Sequence, residues 1–208
     1  ATDYSHIAAV AGAASIAASF GGAAGVSVAV GVALANNRID NSVDAFVRNA
    51  NDGLTSRDGD IVIHANEQAV IEVMSGAAAV AAGFGGAAGV GISGAGASAL
   101  NVILGESSAF VAGSVVKAGH YVGESSVVGN LDINAVNQAV VNAYILSASA
   151  AAAGGGAAGI GASIGVAVAR NYIGYDPDQT SVEATYDSAK DDPSSIKTSD
   201  VIRLAAGS

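Results

Sequence analysis

The hexapeptide Gly21-Gly22-Ala23-Ala24-Gly25-Val26 occurs three times in this chain. It returns unchanged at Gly85–Val90 and with one change at Gly155–Ile160. Twelve residues after its last glycine, each copy is followed by an asparagine with an isoleucine two places on: Asn37/Ile39, Asn101/Ile103 and Asn171/Ile173. Such self-similarity restricts a chain to a tandem array, in which each unit buries its apolar face against the next copy. Aligning the motifs defines three units, Ser5–Gln68, Ala69–Gln138 and Ala139–Ser208, of 64, 70 and 70 residues. The chain begins and ends inside this pattern, so it reads as a segment of something longer, with any targeting signal outside it. The six-residue difference falls after a matched Ala-Phe-Val: Phe46 to Asp60 is 14 positions, and Phe110 to Asn130 is 20. A length change confined to one polar stretch is loop behaviour.

Secondary structure is clearest just after each motif. From Val26 to Ala35, larger residues hold every even position and small ones every odd position. Unit three repeats the alternation with Ile160, Ile164, Val166 and Val168. A period of two predicts a strand. Because neither face carries a charge, the strand is expected to be buried on both. Unit two is the weaker copy, since Gly94, Gly96 and Ser98 leave its large face bare. The run before each motif, Ile7–Phe20 in unit one, fits neither period cleanly. Its alanines favour helix, but interior glycines each cost a helix about 1 kcal/mol relative to Ala. A second strand is the preferred reading, helix the competitor. Gly21-Gly22, Gly85-Gly86 and Gly155-Gly156 then form the turn between two strands. Shorter strands are expected at Val43–Val47, Ile61–Ala65, Phe110–Val116 and Leu131–Val136.

Charge separates from these runs. None occurs from Ile7 to Ala35 or from Val73 to Leu104; charges crowd into the connecting segments, as a solvated rim would. The net charge of −10 argues against nucleic acid, which is held by neutralising phosphates, and against anionic lipid surfaces. Hydrophobic residues make up 51% of the chain, yet aromatics are 5% and Trp is absent, so any core must be thin and closely packed. With no cysteine there is neither a disulfide framework nor a thiolate metal site.

Units in register ~4.8 Å apart place Phe20 on Phe84, and Asn37 on Asn101 on Asn171. Stacked asparagines bond to one another as an amide ladder. The expected fold is therefore all-β: a parallel β-solenoid of three stacked units around a thin Ala/Gly core. The Gly-Gly-Ala-Ala-Gly-Val turn, the Val-x-Val-x-Val run ending in Asn-x-Ile, the Ala-Phe-Val strand and the Gly-Asp-x-x-Ile strand resemble repeats of giant bacterial haemagglutinin-like and autotransporter-like adhesins. The resemblance spans nearly the whole chain in composition and rhythm. It implies a secreted or surface-anchored β-helical stalk, extracellular, whose partners are neighbouring repeats, further copies or surface glycans. It carries no catalytic signature.

Other chemistries find little support. Gly83-Phe84-Gly85 is followed by a strand pattern and not by the helix a dinucleotide fingerprint needs. His6, His64 and His120 lack zinc-ligand spacing, and no serine sits in a Gly-x-Ser-x-Gly elbow. No catalytic, cofactor or metal residue is assigned. The acids Asp52, Asp58 and Asp60, and Asp176, Asp178, Asp191 and Asp192, read as a solvated rim, with calcium the alternative. Two other functional classes compete with the stalk. The 29 uncharged residues Ile7–Ala35 are long enough to span a bilayer as a glycine-zipper helix, although the period of two argues against insertion. A polysaccharide-active β-helix enzyme would need paired carboxylates on one face, and here the acids lie in loops of unequal length.

Overall fold

The computed structural model describes residues 1–122, 125–177, 186–187 and 202–203. Its strands in chain order are β1 (Thr2–Gly21), β2 (Ala24–Arg48), β3 (Leu54–Ser56), β4 (Ile61–Gly85), β5 (Ala88–Ala112), β6 (Val116–Val122), β7 (Ser125–Val128), β8 (Leu131–Gly155), β9 (Ala158–Ile173), β10 (Tyr186–Asp187) and β11 (Ile202–Arg203). No helix occurs among the described residues. The chain divides into two compact units, Ala1–Tyr175 and Asp176–Ser208. In the second, β10 pairs in parallel with β11.

The first unit is a parallel β-solenoid of three repeats. One sheet is ordered β1-β4-β8 and a second β2-β5-β9. Within these two sheets every partner in the first two repeats is offset by 64 residues and every partner in the last two by 70, as in Phe20↔Phe84 and Asn101↔Asn171. Both offsets are even, so each side chain stacks on one from the same face. A slip of one residue would turn whole strands inside out. The register also runs unbroken through Gly94, Gly96 and Ser98, because backbone ladders need no side chain.

The run before each motif is strand, as preferred. Strands of 25 residues make each coil roughly 80 Å wide at ~3.3 Å per residue. The expected short strands are mostly parts of long ones. Val43–Val47 ends β2, while Ile61–Ala65 and Leu131–Val136 open β4 and β8. Phe110–Val116 is divided between β5 and β6, with Gly113 in the left-handed region at φ 57°. The length difference falls where β6 pairs antiparallel with β7; among the described residues β3 pairs with β6 alone. Ser199-Asp200-Val201, which matches Gly59-Asp60-Ile61 and Gly129-Asn130-Leu131 at the ends of the first two units, lies outside the described residues, as does Pro193.

One expectation is corrected. The uncharged strands are buried on one face only. Odd residues point into a slab between the two sheets and even residues point out: Ala29 is 2% exposed, whereas Val30 is 63% exposed. The core is Ala29, Ala33, Ala77, Ala79, Ala81, Ala95 and Ala97, with Ile39, Ile71 and Ile103 further from the turn. Large side chains are excluded because the sheets close on one another toward the turn. A Cβ on Gly31 would lie 2.6 Å from the carbonyl oxygen of Ala78. On Gly89 it would collide with the carbonyl oxygens of both Gly83 and Gly154. Small residues face inward because backbone occupies the space larger ones would need.

Candidate functional site: a polar ladder inside the slab

The asparagines meet inside the solenoid. Asn37 Nδ2 donates to Asn101 Oδ1 at 2.8 Å, and Asn101 Nδ2 donates to Asn171 Oδ1 at 2.8 Å. All three occupy odd, inward positions, and Asn101 is 0% exposed. The turn glycines stack likewise: Gly86 N–H donates to Gly21 and Gly156 N–H to Gly86, each at 3.1 Å. Aromatic pairs stack outside the slab, Phe20 on Phe84 at 5.6 Å and Phe46 on Phe110 at 5.3 Å, with the Arg48 guanidinium 5.2 Å from both rings of the second pair.

A second polar cluster lies four residues further along β2. Asp3, Glu67 and Asn137 stack in register on one sheet, while Asn41 and Gly105 stack on the other. Asn41 Nδ2 donates to Asp3, whose carboxylate also accepts from Ser5 Oγ at 2.6 Å. Glu67 Oε2 accepts from Asn137 Nδ2 at 2.9 Å and from Ser107 Oγ at 3.3 Å. The Glu67 carboxylate fills the place where a Cβ on residue 105 would sit, which is why glycine stands there. The pairs compensate in volume across the slab: the shorter Asp3 faces Asn41, and the longer Glu67 reaches over Gly105. Glu67 is 0% exposed, its Oε1 has no hydrogen-bond partner, and Asn41 Oδ1 also has none. A buried carboxylate is therefore an exception to the solvated rim read from the sequence. Its signal was parity: in Ile61-x-Ile63-x-Ala65-x-Glu67-x-Ala69-x-Ile71 the glutamate falls in phase with the inward residues.

Burial pushes the Glu67 carboxyl above its ordinary value of 4.5. The Ser107 hydrogen bond opposes the rise and the neighbouring Asp3 charge adds to it. A carboxyl raised in the folded state favours folding below its ordinary value, and that contribution is lost as pH rises through the folded value. The urea midpoint of the wild type is therefore expected to fall as pH climbs from about 4.5 through the raised value. Glu67→Gln removes this contribution. Equal pH slopes for the two proteins would show that Glu67 is not the group responsible.

The described rim residues do not assemble a site. Asp60 Oδ1 accepts from the Asn130 N–H at 2.7 Å, His6 lies 3.5 Å from Glu72, and His64 lies 2.9 Å from Asp132. Among the described residues, no group of three or more His, Cys, Asp or Glu side chains is placed to hold a metal ion. Asp178, Asp191 and Asp192 lie outside the described residues. No described helix is long and apolar enough to cross a membrane, which says nothing of crossing with strands. Comparison with protein-family models, with curated proteins and with solved structures finds no match to this chain.

Proposed function

We propose that this chain is a structural module, a rod or filament segment of a secreted or cell-surface bacterial adhesin, matrix fibre or biofilm filament, with no catalysis of its own. The observation that carries this reading is the register. Two three-stranded sheets repeat residue on residue, so the unit is built to be extended along the strand-bonding direction by neighbouring repeats or by further copies. Among the described residues, the outer strands of each sheet, β1 and β8 or β2 and β9, bond to a long strand on one side only. Such edges are templates for further pairing, and the external acids limit uncontrolled pairing by repulsion. Polar ladders, close-packed glycines and stacked rings are a load-carrying inventory. The extracellular setting follows from the acidity, the lack of cysteine and the adhesin-like rhythm, and surface glycans are the external ligand class it implies.

Negative-stain microscopy of the purified chain, and of a genetic tandem of two copies, tests the reading. Rods whose length doubles in the tandem are expected. Two separate globules in the tandem, or turnover of an acidic polysaccharide abolished by Asp58→Asn and Asp60→Asn, would overturn it.

A further inference from the structure

The buried cluster around Glu67 is short of both donors and positive charge. Asn41 Nδ2 donates to Asp3 Oδ2 and, at 3.2 Å, to Ser5 Oγ. These bonds fix the amide's orientation, since turning it over would set Asn41 Oδ1 against the Asp3 carboxylate. Asn41 Oδ1 is nonetheless shut off from solvent. Among the described residues β2 is an outer strand of its sheet, so a buried oxygen there is turned toward the second coil. In that coil the Glu67 carboxylate lies over Gly105, the ladder neighbour of Asn41, with Oε1 nearest to where a Cβ would be. Two buried acceptors, one on a side chain that is 0% exposed, thus face one another with no donor between them. The bonds Glu67 does receive all reach Oε2. One of them is shared, because the Ser107 hydroxyl has a single proton and lies 3.1 Å from Val136 O and 3.3 Å from Glu67. Asp3 and Glu67 occupy adjacent rungs ~4.8 Å apart. Among the described residues neither carboxylate has a basic side chain as ion-pair partner. Buried charge is costly unless it is paired or coordinates a metal.

We infer that Asp3, Asn41 and Glu67 bind one calcium ion, held by Glu67 Oε1, Asn41 Oδ1 and the Asp3 carboxylate. The ligands are hard oxygens of the kind calcium takes, and two carboxylate charges match the charge of the ion. Magnesium demands near-ideal octahedral geometry, which oxygens fixed on two ladders do not offer. Asp3 is only half-buried, which gives the ion a way in and lets water complete its coordination. The cluster holds two acids and not three, and the Asn41 amide oxygen supplies the third protein ligand. The site does not depend on the proposed function, since the ion would stabilise this coil in a stalk or in an enzyme alike.

Isothermal titration calorimetry and urea denaturation of the full chain, at a pH where both carboxyls are ionised, test it. Calcium chloride is compared with magnesium chloride and with sodium chloride at matched ionic strength, because a chain of net charge −10 gains from any salt. The wild type is expected to take up one calcium ion with half-saturation at ~0.1–1 mM, and its urea midpoint to climb with calcium above that range. Magnesium is expected to do no more than sodium. Glu67→Gln keeps the shape of the side chain and is expected to bind calcium at least about tenfold more weakly, losing the excess over sodium. Asp3→Asn, at a half-buried position where a loss of folding is not at issue, is expected to weaken binding likewise. The rim variant D58N/D60N is expected to behave as the wild type. Calcium no better than sodium or magnesium on the wild type, an excess that survives both Glu67→Gln and Asp3→Asn, or one lost in the rim variant would each overturn the inference.

Discussion

Gly89→Val is expected to lose about 3 kcal/mol of unfolding free energy, near the upper end for overpacking, and to melt ~10 °C lower at 2–4 °C per kcal/mol for a chain of this size. The reason is what surrounds the position. A Cβ there meets the carbonyl oxygens of Gly83 and Gly154, which are backbone of its own coil and of the next and cannot swing aside as a side chain can. The whole β4-β8 ladder has to move to admit it. Gly94→Val is the control, because nothing lies within 4 Å of its added Cβ and valine suits a strand better than glycine does. Thermal melts followed by circular dichroism distinguish the two. Equal melting temperatures would mean that the sheets are not as close at the turn as described.

The second large effect belongs to the middle rung of the asparagine ladder. Asn101→Leu keeps the volume but removes both amide bonds, to Asn37 and to Asn171, each 2.8 Å long. It also leaves the part-buried Asn37 amide facing a hydrocarbon. Two lost bonds at about 1 kcal/mol net each, and an orphaned donor at ~1–3 kcal/mol, predict a loss of roughly 3–5 kcal/mol. Replacing all three asparagines leaves no orphan, so the triple variant N37L/N101L/N171L is expected to be more stable than Asn101→Leu alone. Urea denaturation measures both. A triple variant worse than the single one would show that the asparagines contribute something other than mutual satisfaction.

The Glu67 titration acts in the interior, on a carboxyl that is 0% exposed, so a change of pH shifts the stability of a coil from within the slab. The aromatic pairs lie outside the slab. Phe20 lies on Phe84, but the third rung is Gly154, whose added Cβ would meet the Phe84 ring at 3.0 Å. Glycine there keeps room for the ring below.

Recurrence of one hexapeptide, with Asn and Ile at constant distances from it, was enough to predict stacked coils, the register between them and the meeting of Asn37, Asn101 and Asn171. These follow from the chain alone because a parallel stack repeats sequence spacing as spatial contact. Strand was legible after each motif, where large and small residues alternate. It was muted before the motif, where Val10, Ile16 and Phe20 point out among alanines and Ile7 points in. Glu67 was concealed by its charge, although its parity marked it as inward. Which face is inside was decided only by the tertiary structure. A period of two sorts residues onto two faces but carries no label for the core, and the usual assumption that larger apolar groups are interior fails here. The distance between the sheets is set jointly by glycines from both of them, Gly31 over Ala78 and Gly89 between Gly83 and Gly154, and that closeness admits alanine and turns valine out toward solvent.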